Sequence, residues 1–178
     1  MEIKAQFCSS LAKIFPDKTP ELLPDKITAL QGERYSFQLA YMAENNRGSA
    51  QIRVTCPLPV TVRKAESVPV RFCGREFDEY IISSTPGLYP DLLTLPDNSG
   101  TSFPLRLKQY LAAWFTVEIP ADCPPGNYTL DAELAATDYS GENGSWQGRI
   151  NIEVIGAKLP ELSMKYTCWL HGDSLASV

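Results

Sequence analysis

The stretch RYSFQLAY, residues 34–41, alternates polar or small side chains with large apolar ones. Its large members Tyr35, Phe37, Leu39 and Tyr41 would lie on one side of an extended chain, because strand side chains alternate between two faces. This period of two is typical of a strand with one buried and one solvated face. The stretch therefore predicts a half-buried β-strand.

The same period recurs along the chain. Strand-like runs lie at residues 51–56, 60–63, 68–72, 111–119, 128–134 and 146–155, with turn clusters at 44–49, 124–127 and 138–145. About eight short strands separated by turns predict an all-β, antiparallel immunoglobulin-like sandwich, in which two sheets bury one face each. Pro57, Pro59 and Pro69 predict strand ends or edges, because proline cannot donate to a ladder. Residues 9–15 could form one or two helical turns ended by Pro16.

One segment departs from this pattern. Residues 77–110 are rich in proline, glycine and aspartate and include the run Tyr89-Pro90-Asp91-Leu92-Leu93. A connection of this length in a compact domain is usually functional or packed onto something, and its apolar content argues against disorder. We predict a long ordered loop that covers a sheet edge or contacts another domain, with Tyr89, Pro90 and Asp91 as contact residues.

Composition limits the class of partner. The 178 residues fit one domain with a net charge of -5, so a phosphate backbone is a poor ligand and nucleic acid is disfavoured. No stretch approaches the ~20 apolar residues that span a bilayer, and residues 1–7 lack the apolar centre of a signal peptide. We expect no membrane partner, and a cytoplasmic location unless a leader has been removed, in which case the location is extracytoplasmic.

The cysteines favour free thiols. They are five in number, widely spaced and without a CxxC pair, at Cys8, Cys56, Cys73, Cys123 and Cys168. A disulfide framework requires an even number, and zinc sites use close pairs. Since phosphate-binding and calcium-binding loops are also absent from the sequence, we predict no metal and no cofactor.

The sequence predicts no catalytic residues. His171 is the single histidine, and Cys168 lies too close to it along a strand to face it as a nucleophile. Glycoside hydrolysis uses two carboxylates across a sugar. Asp91, between Pro90 and Leu92, is the one acid in an apolar frame, and such an aspartate is more typical of a turn or cap.

Aromatic residues offer an alternative role in sugar binding. Trp114 lies in an apolar strand and is predicted to be core. Trp146 and Tyr139 flank a loop and are freer, and aromatic faces stack on the apolar faces of sugar rings. A carbohydrate-binding module that uses Trp146 and Tyr139 is therefore an alternative function.

Several short sequence segments together resemble motifs of the DUF4091 family, which are bacterial proteins described as glycoside-hydrolase-like. Residues 30–40, LQGERYSFQLA, resemble its RGE-x-x-x-fQ strand, and residues 89–93, YPDLL, resemble its YPDxL loop. Residues 114–128 are similar to its W-x-x-v-x-vP-x-d-x-x-pG-x-Y stretch. Residues 159–160, followed by 167–173, resemble the junction at which a (β/α)-barrel begins. The order and spacing of these elements support the resemblance more than any single one.

The resemblance implies a domain organisation. Residues 1–158 would form a sandwich module, and residues 159–178 a linker and the truncated first strand of a barrel. His171 and Asp173, at the end of that strand, would line the barrel's cleft, because barrel active sites lie at the carboxyl ends of strands. The leading function is then a non-catalytic accessory domain that packs against its own barrel. A general protein-interaction domain and a free-standing enzyme remain open alternatives.

Overall fold

A computed structural model describes residues 1–70, 85–95, 102–161 and 163. Within these residues the chain forms ten β-strands and no helix. The strands are β1 (Ile3–Ser9), β2 (Lys26–Gln31), β3 (Arg34–Ala43), β4 (Gly48–Thr55), β5 (Val60–Val70), β6 (Gly87–Thr94), β7 (Ser102–Leu105), β8 (Leu111–Glu118), β9 (Gly126–Asp138) and β10 (Asn143–Lys158). In the described part, therefore, no helix has the length and apolar character needed to cross a bilayer.

The strands form two five-stranded sheets. Sheet 1 has the order β1-β3-β8-β5-β6, and sheet 2 has the order β2-β10-β9-β4-β7. Among these strands every pair is antiparallel except β2 with β10, which run parallel. The two sheets pack face to face around one apolar interior, and the predicted all-β sandwich is confirmed.

The core forms where the alternating residues of the two sheets meet. Phe37 and Phe115 are fully buried on neighbouring strands, and their rings stack with centroids 5.1 Å apart. Phe7 contacts Phe37 edge-on at 5.5 Å. Sheet 2 contributes Leu130 and Leu134 from β9, both fully buried. Burial of aromatic rings in these geometries stabilises a core beyond the area they remove from water.

Strand β3 is buried on both faces, whereas the sequence predicts one. Gln38, Ala40 and Met42 face away from the core and are 4, 0 and 9% exposed. They are covered by the segment Ser10–Pro16, which forms one turn closed by Ala12 N to Ser9 O and no helix. Ile14 from this segment is buried in a second small cluster with Ala40 and Met42. The segment thus forms a single turn on the outer face of sheet 1, and the predicted helical turns are not present.

The predicted long loop is also wrong in part. Within residues 77–110, β6 and β7 form the edges of sheets 1 and 2, pairing with β5 and β4. Both strands contain a proline, Pro90 and Pro104, which an edge tolerates because one side of the strand has no ladder. Residues 77–84 and 96–101 lie outside the described part.

The remaining prolines occupy the predicted places. Pro57 and Pro59 precede β5, and Pro69 lies beyond Ala65, where β5 pairs with β6 but no longer with β8. At the other end of the sequence, β10 ends at Lys158. The predicted barrel strand with His171 and Asp173, as well as Cys73 and Cys168, lies outside the described residues and stays a prediction.

Candidate functional site

Strand β6 carries exposed apolar side chains on both of its faces at the edge of sheet 1. Leu88, Leu92 and Leu93 on the strand and Leu95 just after it are 45, 56, 40 and 66% exposed. Natural edge strands usually carry charge or are covered, because an open apolar edge invites association. We call these four residues the leucine edge and take it as the candidate contact surface.

The backbone of β6 is irregular at the centre of the leucine edge. Glu66 of β5 lies opposite Leu92 and Ser67 lies opposite Pro90, so Asp91 is an extra residue that forms a bulge. Proline and a bulge both hinder pairing with a further strand. A partner would therefore contact this edge through side chains. The predicted contact residues Tyr89, Pro90 and Asp91 thus lie on an edge strand and not in the loop that the sequence predicted.

Tyr89 has an internal role. Its ring meets Phe15 edge-on with centroids 5.9 Å apart, and its hydroxyl donates to the carbonyl of Thr85. The ammonium of Lys18 lies 5.0 Å from the centroid of the Phe15 ring. Tyr89 therefore ties β6 to the segment that follows β1, and the exposed leucines remain the outward-facing side chains.

Beside the leucine edge, a groove of about 220 Å³ opens on the outer face of sheet 1, and we call it the outer groove. Its lining includes Lys13, Gln38, Asp91 and Trp114. Trp114 is half-buried and lies directly opposite Gln38 on β3, whereas its neighbour Phe115 points into the core. The prediction that Trp114 is core is therefore wrong. Side-chain alternation could have predicted this position, because consecutive strand residues such as Trp114 and Phe115 face opposite sides.

The two aromatic residues predicted to bind sugar have different surroundings. Trp146 is half-buried against the core, and its ring meets Phe7 edge-on at 5.3 Å. Tyr139 is 84% exposed beside Arg47, whose carbonyl accepts its backbone N–H at 3.3 Å. One ring packs inward and the other stands in solvent, so they do not form a joint stacking surface. Sugar binding by either residue stays a prediction.

Carboxylates on the outer face of sheet 2 are paired across strands. Asp131 accepts from Arg149 Nε at 2.7 Å, and Glu133 lies 3.8 Å from Arg53. These groups line a shallow exposed surface. In the described part of the chain, no three histidine, cysteine, aspartate or glutamate side chains come together as metal ligands. Such exposed cross-strand pairs contribute modestly to stability, typically about 0.2–1 kcal/mol each.

Asp138, at the end of β9, is a buried carboxylate with four hydrogen-bond donors. The hydroxyl and the backbone N–H of Ser140 donate to Oδ1, as does the N–H of Glu142. Asn46 Nδ2 donates to Oδ2 at 2.6 Å. These donors, the Ser140 hydroxyl first, lower the pKa of Asp138 to about 2. A carboxylate held so firmly as an anion organises the β9–β10 hairpin and is a poor proton donor.

The strands and their order thus define the chain as an all-β sandwich of the immunoglobulin-like class. No model of a known protein family matches the sequence. No curated protein sequence matches it either. The DUF4091 resemblance accordingly stays a prediction.

Solved structures share the fold. A family 123 glycoside hydrolase from Clostridium perfringens, studied for glycolipid glycan hydrolysis, matches with a TM-score of 0.68 and 14% identity. The match covers 90% of this chain and 28% of that chain. Human CEP192 PapD-like domain 7 matches at 0.41 and 11% identity, over 87% of each chain. BcpA, the major pilin subunit of Bacillus cereus, matches at 0.41 and 8%, over 86% of this chain and 40% of its own. At these identities the likeness shows the fold alone.

Proposed function

We propose that the chain is a non-catalytic accessory sandwich of a larger, bacterial glycoside-hydrolase-like protein and packs against that protein's catalytic barrel through the leucine edge. The observation that carries the proposal is the set of four exposed leucines on and beside one edge strand. The fold likeness to 28% of a larger glycoside hydrolase and the DUF4091 resemblance support the same assignment.

Burial of the leucine edge would be favourable. Fully burying one leucine side chain stabilises by about 1.5–3 kcal/mol relative to leaving it in water. The four leucines of the edge lie within eight consecutive residues. Asp91 is the single charged residue among these eight. The centres of protein interfaces are likewise depleted in charged residues. An edge of this composition suits a lasting contact with another domain.

The surroundings of three carboxylates of sheet 2 support a non-catalytic role. Asp131 and Glu133 pair with arginines on an open sheet face, and Asp138 is held as an anion within a hairpin. Hydrolysis of a glycosidic bond requires an acid and a second carboxylate on either side of the sugar. We therefore expect the 178-residue chain to release no sugar from glycan substrates. Measured sugar release by this chain would support a free-standing enzyme instead.

The test of the contact is a double substitution, Leu92→Asp with Leu93→Asp, in the natural polypeptide that carries this chain. We expect faster hydrogen exchange of the β6 amides and earlier proteolytic cleavage between the sandwich and the next domain, because two carboxylates would have to be desolvated in the interface. The matched control is Leu22→Asp, at a leucine that is 74% exposed and outside the leucine edge.

Two results would overturn the proposal. One is β6 exchange and cleavage rates that stay the same in the double variant and in the Leu22→Asp control. The other is a gene whose reading frame encodes no barrel-length domain beside this chain, since the sandwich would then have no catalytic domain to contact.

A further inference from the structure

The outer groove contains a buried polar side chain with unused hydrogen-bonding capacity. Gln38 is 4% exposed, and its Nε2 donates to the carbonyls of Ser9 at 2.9 Å and Ala12 at 2.8 Å. Both amide protons are thus used, which also fixes which end of the amide is oxygen. Among the described residues, none donates a hydrogen bond to its Oε1. This oxygen is not one of the buried atoms that lack a partner among the described residues, so it is open to solvent, and a ligand donor would replace water there.

Trp114 adds a complementary donor and a flat apolar surface. It lies opposite Gln38 in the β3–β8 register and lines the same groove. Its indole N–H donates to no group in the described part of the chain. A ligand beside this pair would therefore need an apolar face as well as groups that can both donate and accept hydrogen bonds.

We propose that the outer groove binds one neutral sugar ring, with the ring's C–H face on the Trp114 indole and a hydroxyl donating to Gln38 Oε1. A hydroxyl fits because it donates and accepts at once. Lys13, from the segment that covers β3, and Asp91, from the β6 bulge, line two different walls and supply one further donor and one acceptor. Their opposite charges leave the rim without net charge, which favours a neutral ligand.

The dimensions of the groove limit the ligand to a single ring. Its volume of about 220 Å³ lies below the roughly 300–1,000 Å³ of pockets that hold drug-sized molecules. Ala65 lines the groove with a small side chain and so leaves this space open. The site is distinct from Trp146 and Tyr139. Leu93 belongs to both the groove and the leucine edge, so the two surfaces adjoin, but the sugar site concerns this chain alone and goes beyond the proposed packing against a barrel.

The test is a titration of the 178-residue chain, labelled with ¹⁵N, with glucose, galactose, mannose and N-acetylglucosamine. The three tryptophans give three indole N–H signals, and Trp114→Phe and Trp146→Phe identify two of them. We expect at least one sugar to shift the Trp114 signal saturably, with a dissociation constant in the millimolar range that is usual for few contacts. The Trp146 signal should stay in place, because that ring packs on Phe7.

Variants at the rim separate this site from nonspecific binding. Lys13 and Asp91 are exposed, so Lys13→Ala and Asp91→Ala leave the core untouched. Each should weaken binding by about fivefold, the effect of one typical hydrogen bond. Tyr139→Ala, at an exposed aromatic residue outside the groove, should bind as the wild-type chain does. The inference is wrong if no sugar moves the Trp114 signal saturably, or if both rim variants bind with unchanged affinity.

Discussion

The carboxylate of Asp138 shows how one residue organises a whole hairpin. Three donors on Oδ1 come from the loop that joins β9 to β10, and the fourth, from Asn46, comes from the turn before β4. The carboxylate therefore ties two connections at the same end of the sandwich together. Hydrogen bonds to a charged acceptor are about twice as strong as neutral ones.

This geometry predicts a pH dependence of stability. An unfolded aspartate has a pKa of about 3.9, and the folded pKa of Asp138 is lowered to about 2. The anion therefore stabilises the fold above about pH 4, and this contribution is lost as the pH falls toward 2. Asp138→Asn should lower the urea midpoint near pH 7, and its difference from the wild-type chain should shrink between about pH 4 and pH 2.

The matched control for Asp138 is Asp122→Asn, at an exposed aspartate. Its urea midpoint should stay close to that of the wild-type chain across the same pH series. A difference between Asp138→Asn and the wild-type chain that kept its size from neutral pH to pH 2 would contradict the assigned role.

Gly48 illustrates a position where the backbones of two strands leave no space. A Cβ added there would overlap the carbonyl of Thr137 and lie 2.7 Å from Asp138 Cα, on the paired strand β9. Gly48→Ala should therefore lower the free energy of unfolding by about 2–3 kcal/mol in urea denaturation, because backbone must move. Gly87→Ala is the control, since its Cβ would meet only Tyr89 Cε2 at 3.7 Å. Equal stability of both variants would contradict this.

At the scale of elements, the segment Ser10–Pro16 adds a partial third layer to the sandwich. Gln38 donates to the carbonyl of Ala12 in this segment and to that of Ser9 at the end of β1, and Pro16 accepts the N–H of Tyr110 at 2.9 Å. Ile14 fills the space between this segment and sheet 1 and is 3% exposed. The layer positions one wall of the outer groove, so its stability and the geometry of the groove are linked.

Two alanine substitutions test whether this layer is packed. Ile14→Ala should cost about 2–4 kcal/mol of unfolding free energy, the usual effect of emptying a buried aliphatic site. Leu11→Ala, three positions earlier at a side chain that is 89% exposed, should change stability by less than about 0.5 kcal/mol. Urea unfolding followed by far-UV circular dichroism measures both. An Ile14→Ala effect as small as that of Leu11→Ala would show that the segment does not pack on sheet 1.

At the scale of the whole molecule, the three described thiols differ in how deeply they are buried. Cys8 is fully buried in the cluster that contains Ile14, and Cys123 is 5% exposed. Cys56, just after β4, is half-buried. Burial raises the pKa of the Cys8 and Cys56 thiols, which lowers their thiolate fraction and their reactivity.

A labelling experiment follows from this difference. Under native conditions a maleimide should modify Cys56 faster than Cys8 or Cys123, because access to the two buried thiols requires opening of the fold. Peptide mass spectrometry assigns each modified thiol separately from Cys73 and Cys168. In denaturant the three rates should converge. Native labelling of Cys8 at the rate of Cys56 would mean that the segment Ser10–Pro16 does not cover it.

The topology shows what local patterns can and cannot predict. Periods of two revealed most strands, since alternation depends only on neighbouring residues. Partners are remote in sequence: β3 pairs with β8, and β2 runs parallel to β10. Strands β1, β2, β6 and β7 escaped prediction, and β6 and β7 each contain a proline and pair on one side only. The exposed leucines were visible in the sequence, but their position on an edge depended on this pairing.

The amino-acid sequence by itself determined the all-β class, the positions of most strands and the placing of prolines at strand ends and edges. These features depend on backbone geometry and on the side-chain period, which act over a few residues. Only the tertiary structure decided that Trp114 faces the outer groove, that Trp146 packs on Phe7 and that Gln38 is buried with its amide N–H groups on Ser9 and Ala12. Alternation defines two faces for each strand, but the segment that covers a face comes from elsewhere in the chain.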